Sequence, residues 1–242
     1  MNQLNAECAL CGRFEQLRDS HILPEFLYRP SYDATHTAIE LDTRKGRRGK
    51  RQKGFSERLF CADCEGRFNR WETYFANVWL NASKMRRPKR LPIDLIQVTG
   101  LDYAQFKLFH LSVIWRAGIS KHPMFNNVRL GAQAQKLPLR VLESNPGAPT
   151  DYPFFGIALR DPRTQVFQDR IVMGPEASRV NGHWVYTFIF GGVQWHYYVS
   201  GHHANRNVPI IFGPDGVLTL AVKDWTDIQS IKRFASQLPH GL

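Results

Sequence analysis

Phe68, Trp71, Phe75, Val78 and Trp79 recur at intervals of three and four, with one adjacent pair, in EGRFNRWETYFANVWL. That spacing lines one face of an α-helix, and it predicts a helix from Cys64 to about residue 81. A second helical pattern follows Asp102, where Phe106, Phe109, Leu111, Val113 and Ile114 form a broad apolar face. Asp102 is placed to cap that helix and Gly118 to end it. Residues 131–144 suggest another helix, started or kinked by Pro138. LPIDLIQVTG, residues 91–100, reads as a strand or an extended linker.

From residue 150 the pattern changes. FFGIAL, QDRIVMG, HWVYTFIFGG, VQWHYYVSG, VPIIFG and VLTLAV are short runs rich in β-branched and aromatic residues. VNGH (Asn181–Gly182) and PDGV (Asp215–Gly216) are hairpin signals. The expectation is an antiparallel sheet over about 152–222, closed by a helix over about 225–237 that Asp224 or Thr226 caps. His110 is expected to be a core residue of its helix. His196, His202 and His203 carry no metal expectation: adjacent strand residues face opposite ways, and no cysteine or carboxylate pair accompanies them. Trp195, Tyr197 and Tyr198 are either sheet core or a base-stacking surface.

Composition adds a core and a charge. The chain has 242 residues, 43% hydrophobic and 12% aromatic, enough to bury a substantial interior. No stretch of 18 uninterrupted apolar residues occurs, and MNQLNAECALCG lacks a basic segment followed by an apolar run. A soluble, cytoplasmic protein with no membrane partner is therefore expected. The net charge is +11. Residues 1–90 hold 18 Lys+Arg against 11 Asp+Glu, net +7, and residues 91–242 hold 14 against 10, net +4. Arg44, Lys45, Arg47, Arg48, Lys50, Arg51 and Lys53 crowd into RKGRRGKRQK. Like charges repel and glycine adds backbone entropy, so this run reads as a flexible basic loop, 43–54. It is either a solvated loop or an arm for a phosphate backbone, and the charge balance favours nucleic acid.

The only four cysteines form two CxxC pairs, Cys8/Cys11 and Cys61/Cys64. Two intervening residues is zinc-knuckle spacing, and four thiolates complete a tetrahedral structural Zn2+ site. No thioredoxin-like βαβ pattern surrounds them to suggest redox work. The ion would tie together the ends of a long insert. Within that insert lies DSHILPEFLYRP. Its His21 is either a general base or a turn residue in a zinc-stabilised binding module.

The order CALC, SHILP, then an apolar residue, CADC and a helix start resembles the HNH, or ββα-metal, endonucleases. The likeness is closest to their zinc-bearing branch, which includes phage Holliday-junction-resolving enzymes, and covers residues 6–80, about a third of the chain. It implies an α+β fold. An N-terminal zinc-stabilised ββα-metal module at 1–90 would precede an α+β domain at 91–242 of unassigned role. That domain would hold a helical middle at about 102–145, the antiparallel sheet and the closing helix.

The resemblance also implies roles, one position at a time. His21 would be the general base. The metal-binding partner before it, ordinarily Asp or His, is Ser20; the second ligand, ordinarily Asn or His after the last cysteine, is Glu65. The middle Asn position is Ser56. The ligand charge is thus moved from one side of the site to the other, and Mg2+ or Mn2+ would be held by Glu65 with Ser20. Asp19 would point away from Ser20. Glu72, about 700° and about 10 Å further along the helix, shares Glu65's face and would orient His21 or pair with Arg67 or Arg70. Arg58 or Arg67 would hold the phosphate. The activity implied is hydrolysis of phosphodiester bonds in nucleic acid, DNA ahead of RNA, in a setting such as prokaryotic restriction or anti-phage defence. The alternative is a non-catalytic zinc-knuckle protein that binds nucleic acid. The C-terminal domain could support oligomerisation.

Overall fold

The computed structural model describes residues 5–42, 47–81, 89–91, 94–199 and 211–236. Short strands β1 (Asn5–Glu7) and β2 (Phe14–Gln16) pair antiparallel around the first cysteine knuckle. β3 (Arg18–His21) follows. The insert then forms a separate hairpin of β4 (Ala38–Asp42) and β5 (Arg47–Arg51). The basic run is therefore largely a strand rather than a flexible loop, and Arg44 and Lys45 lie outside the described residues. The expectation missed the partner: β4 brings Glu40 within 3.0 Å of Arg51, which offsets repulsion along β5.

β6 (Ser56–Phe60) pairs antiparallel with β3 and leads directly into α1 (Ala62–Phe75). The helix starts at Ala62 with Cys61 at its N-cap, so Cys64 stands in its first turn. Phe68, Trp71 and Phe75 are buried as their spacing predicts. Residues Ala76–Asn81 continue as a wider π turn, where the Trp79 indole N–H donates to the Gly191 carbonyl at 2.9 Å. That bond fixes the end of the helix on the C-terminal sheet.

β7 (Lys89–Arg90) and β8 (Leu95–Val98) precede α2 (Tyr103–Ile119). Asp102 caps α2 by accepting the Gln105 N–H at 2.9 Å. Every residue of α2 from Phe106 to Ala117 is buried, so the helix lies inside the molecule. Several of its polar groups find partners there, whereas Trp115 Nε1 and His110 Nε2 do not. His110 Nδ1 meets the Tyr197 hydroxyl at 2.7 Å, and Lys107 donates to the Ala148 carbonyl. α3 (Gln133–Leu142) follows, with Pro138 within it.

The last strands are β9 (Phe154–Arg160), β10 (Met173–Val180), β11 (His183–Phe190), β12 (Val193–Val199) and β13 (Leu218–Asp224). They join β7 and β8 in one seven-stranded sheet of order β10-β11-β12-β9-β13-β8-β7. All neighbours are antiparallel except β9 and β13, which run parallel. Parallel neighbours need a long connection, and here β10, β11 and β12 intervene in sequence. Asn181 and Gly182 take positive φ of 50° and 82° in the β10–β11 turn, as the hairpin signal requires. Three strand expectations shift. QDRIVMG enters β10 only at Met173, and 211–213 of VPIIFG form no strand. PDGV is not a hairpin turn; it precedes β13, and the Gly216 carbonyl accepts the Leu101 N–H.

The closing helix is shorter than expected. A 3-10 turn at Trp225–Asp227 leads into α4 (Gln229–Ala235), and Ile228 and Ile231 pack on Leu159 and Ile189 of the sheet. Asp224 does not cap it; its carboxylate accepts from Arg160 at 2.8 Å. The main hydrophobic cluster runs without interruption from Cys8 through α1 and α2 to Leu220. Among the described residues no helix is long and apolar enough to cross a membrane.

Candidate metal centre and histidine site

The two knuckles meet. The Sγ atoms of Cys8, Cys11, Cys61 and Cys64 all lie within 4.8 Å of one another, and Cys11 and Cys61 are 3.8 Å apart. A tetrahedron with Zn–S bonds of about 2.3 Å has S···S edges of about 3.8 Å, so the cluster has the dimensions of a zinc tetrathiolate. No disulfide joins the cysteines. Soft sulfur donors in this geometry suit Zn2+. The backbone assists: the Cys61 N–H points at Cys8 Sγ at 3.4 Å. Arg13 completes the shell, its Nε 3.4 Å from Cys11 Sγ and one Nη 3.7 Å from Cys61 Sγ. Burial opposes ionisation of the Cys11 thiol, but hydrogen bonds from Arg13 outweigh it and bring the pKa down to about 6. Asp63 anchors Arg13 at 2.7 Å.

β3 emerges from this cluster, and its alternation separates the two residues of interest. Ser20 is fully buried and faces α1, whereas His21 is partly exposed on the opposite face. His21 sits opposite Ser56 in the β3–β6 register. Its Nε2 lies 3.2 Å from Glu25 Oε2. Glu25 is itself held in place, accepting from the Gly54 N–H at 2.7 Å and from the Tyr32 hydroxyl at 2.5 Å. With Nε2–H donated to this carboxylate, the imidazole lone pair resides on Nδ1.

Glu65 lies in the first turn of α1, next to Cys64 and near the Ser20 hydroxyl. Burial raises its pKa; Ser20 and the charge of Arg116 act against that rise, while Glu72 adds to it. Its Oε1 is buried without a hydrogen-bond partner. Glu72 does not reach for Arg67 or Arg70. Its Oε1 accepts from Arg116 Nη1 at 2.6 Å, and the same nitrogen donates to the His21 main-chain carbonyl at 2.8 Å. Arg116 is 1% exposed and also lies over the Phe68 ring. Glu72 thus acts on His21 through Arg116 of α2.

Asp19 is exposed and faces away from Ser20, near Arg58 at 3.6 Å. Arg58 is exposed as well, while Arg67 donates to Ser144 Oγ at 3.0 Å, toward the end of α3. Arg51 is drawn in by Glu40 and lies 3.8 Å over Phe55, whereas Lys50 and Lys53 are exposed. Among the described residues the four cysteines are the only group of three or more His, Cys, Asp or Glu side chains that could hold a metal. His202 and His203 lie outside the described residues, and His196 packs against Phe155 with a pKa that burial lowers to about 4.

Sequence reasoning missed Glu25 and Arg116. The i, i+4 spacing of His21 and Glu25 was an available signal for the first. Nothing in the sequence marks the second, which is 95 residues from its partner. Comparison with known proteins finds no family model, no curated protein and no solved structure that matches the chain.

Proposed function

We propose that the chain is a zinc-stabilised, HNH-like endonuclease that hydrolyses phosphodiester bonds in nucleic acid, DNA ahead of RNA. The observation that carries this reading is the run β3–β6–α1, an antiparallel strand pair feeding a helix, pinned at its start by the four cysteines. His21 lies on the first strand, with Ser56 opposite and Glu65 in the first helical turn.

In this reading His21 accepts the proton of an attacking water on Nδ1, and Glu25 holds the ring in place. Arg116 fixes the strand that carries His21 through its main-chain oxygen. The resemblance would put Mg2+ or Mn2+ on Glu65 and Ser20, but these residues do not fit that role. Ser20 is fully buried, Glu65 Oε1 is buried beside it, and both lie on the face of β3 opposite His21, so no step is routed through such an ion.

A second reading has its own support. With Glu72 engaged by Arg116, Glu25 by Gly54 and Tyr32, and Glu65 on the far side of β3, the carboxylates described around His21 are all committed or turned away, which favours a non-catalytic zinc-knuckle protein that binds nucleic acid. One experiment separates the two. Plasmid nicking with Mg2+ or Mn2+, lost in His21→Ala at unchanged zinc content and thermal stability, supports the nuclease. Equal DNA binding by both proteins with no nicking by either overturns it.

A further inference from the structure

Two 3-10 turns, Glu25–Leu27 and Arg29–Ser31, bring the side chains of Glu25 and Tyr32 together. Pro24 precedes the first turn and Pro30 stands within the second, which restricts φ at both. Leu27 and Tyr28 are buried and root the segment in the core. Tyr32 leaves the second turn in an extended conformation, and its hydroxyl donates to Glu25 Oε1 at 2.5 Å. The other oxygen, Oε2, accepts the Gly54 N–H at 2.7 Å and faces His21 Nε2 at 3.2 Å.

Both oxygens matter. The terminal torsion of a glutamate is broad and roughly two-fold, so a hydrogen bond to one oxygen leaves the carboxylate free to turn. Hydrogen bonds to opposite oxygens fix its plane. Tyr32 suits this task because it stays a donor. Burial raises its pKa, the hydrogen bond to Glu25 and that residue's charge raise it further, and Arg51 and Arg29 act against the rise.

The tyrosine ring is itself buttressed. Asp33 Oδ1 accepts from the Thr35 N–H at 2.8 Å, the Thr35 hydroxyl at 2.7 Å and the Thr37 N–H at 3.0 Å. The Asp33 N–H donates to the Thr37 carbonyl at 2.9 Å, which closes the loop 33–37. In that loop His36 takes a φ of 56°, uncommon for a residue with a side chain. Its ring lies 4.2 Å from the Tyr32 ring.

We propose that Tyr32 is a positioning residue for His21. By fixing the plane of the Glu25 carboxylate it holds the imidazole as the Nε2–H tautomer, with Nδ1 left as the proton acceptor, and the loop 33–37 seats His36 against its ring. The inference rests on the reading of His21 as general base given above. Which ring nitrogen carries the proton is set by the hydrogen bond that the ring makes. An acceptor free to swing therefore admits the second tautomer, in which Nδ1 already bears a proton and takes none from water.

The test reads the two ring nitrogens of His21 by nitrogen-15 NMR in full-length, zinc-loaded protein at about pH 8.5, above the ordinary imidazole range. His21→Ala identifies the signals by their loss. Wild type should show one tautomer, protonated on Nε2. In Tyr32→Phe, which keeps the ring and removes the hydroxyl, the two nitrogen shifts should move toward each other. Its kcat for plasmid nicking should fall about three- to tenfold at unchanged KM, a part of the roughly 10²–10⁴-fold that a general base supplies. His36→Ala should move the shifts in the same direction by less. Tyr103→Phe loses a comparable hydroxyl hydrogen bond, to the Gly147 carbonyl at 2.8 Å, and should leave His21 unchanged. An Nδ1–H signal in wild type, unchanged shifts in Tyr32→Phe, or equal movement in Tyr103→Phe overturns the proposal. The shifts are read without cleavage. A wild type that fails to nick overturns the nuclease reading while the spectra still decide the positioning role, and a wild type that nicks with unmoved shifts in Tyr32→Phe does the reverse.

Discussion

Replacing Glu72 by alanine tests whether Arg116 is the buried charge on which the histidine strand depends. Arg116 is 1% exposed and Glu72 19% exposed, with 2.6 Å between Nη1 and Oε1. Truncating one partner of a buried ion pair leaves the other charge uncompensated, at about 3–5 kcal/mol. Two features place this case at the lower end. Arg116 would keep its hydrogen bonds to the His21 carbonyl and to Ser112, and Glu65 still contributes a nearby carboxyl. The expected loss is about 3 kcal/mol, or about 6–12 °C in melting temperature for a chain of this size. Calorimetry on zinc-loaded protein measures it. The double variant Arg116→Met/Glu72→Leu should recover much of the loss, because an apolar pair of similar volume needs no desolvation of charge. A shift below about 2 °C in Glu72→Ala, or a double variant no better than the single, would refute the argument.

Two further expectations concern the metal and a buried lysine. Elemental analysis should find one zinc per chain, and Cys11→Ser and Cys64→Ser should each lose it and melt early, because structural zinc contributes on the order of 10 kcal/mol to folding; a variant that keeps full zinc would break the four-thiolate assignment. Burial lowers the Lys107 pKa from 10.5 to about 8, with Asp151 acting in the opposite direction. The unfolded chain then binds the proton more tightly, so this group costs stability at neutral pH and the cost disappears as pH rises from about 8 to 10.5. Relative to Lys107→Met, the wild type should gain about 3 kcal/mol across that window. Denaturant midpoints at several pH values check this, and parallel pH profiles would contradict it.

The parts of this molecule that were legible in the sequence are those whose cause is local or whose partners are scarce. Four cysteines in two pairs leave one way to satisfy four thiolates, and they do converge. Helical spacing located α1, a capping aspartate located the start of α2, and Asn181–Gly182 located a hairpin, because each signal acts within a few residues. The basic run shows the opposite case. Repulsion among its charges argued for a loop, and only the strand that pairs with it, carrying Glu40, makes it a ribbon.

Tertiary structure alone decided the rest. The β9–β13 pair joins strands separated by three others in sequence, and strand patterns carry no address for a partner. Strand alternation put Ser20 inside and His21 outside. Which groups then faced each residue depended on helix packing: Glu65 beside Ser20, Glu25 beside His21. Arg116 reaches the histidine strand because α2 runs through the core behind α1, and a guanidinium so deeply buried must find a carboxylate and carbonyls there. The sequence by itself determined which cysteines cluster and where the two central helices run. The surroundings of the histidine were settled by chain segments that meet only when the core forms.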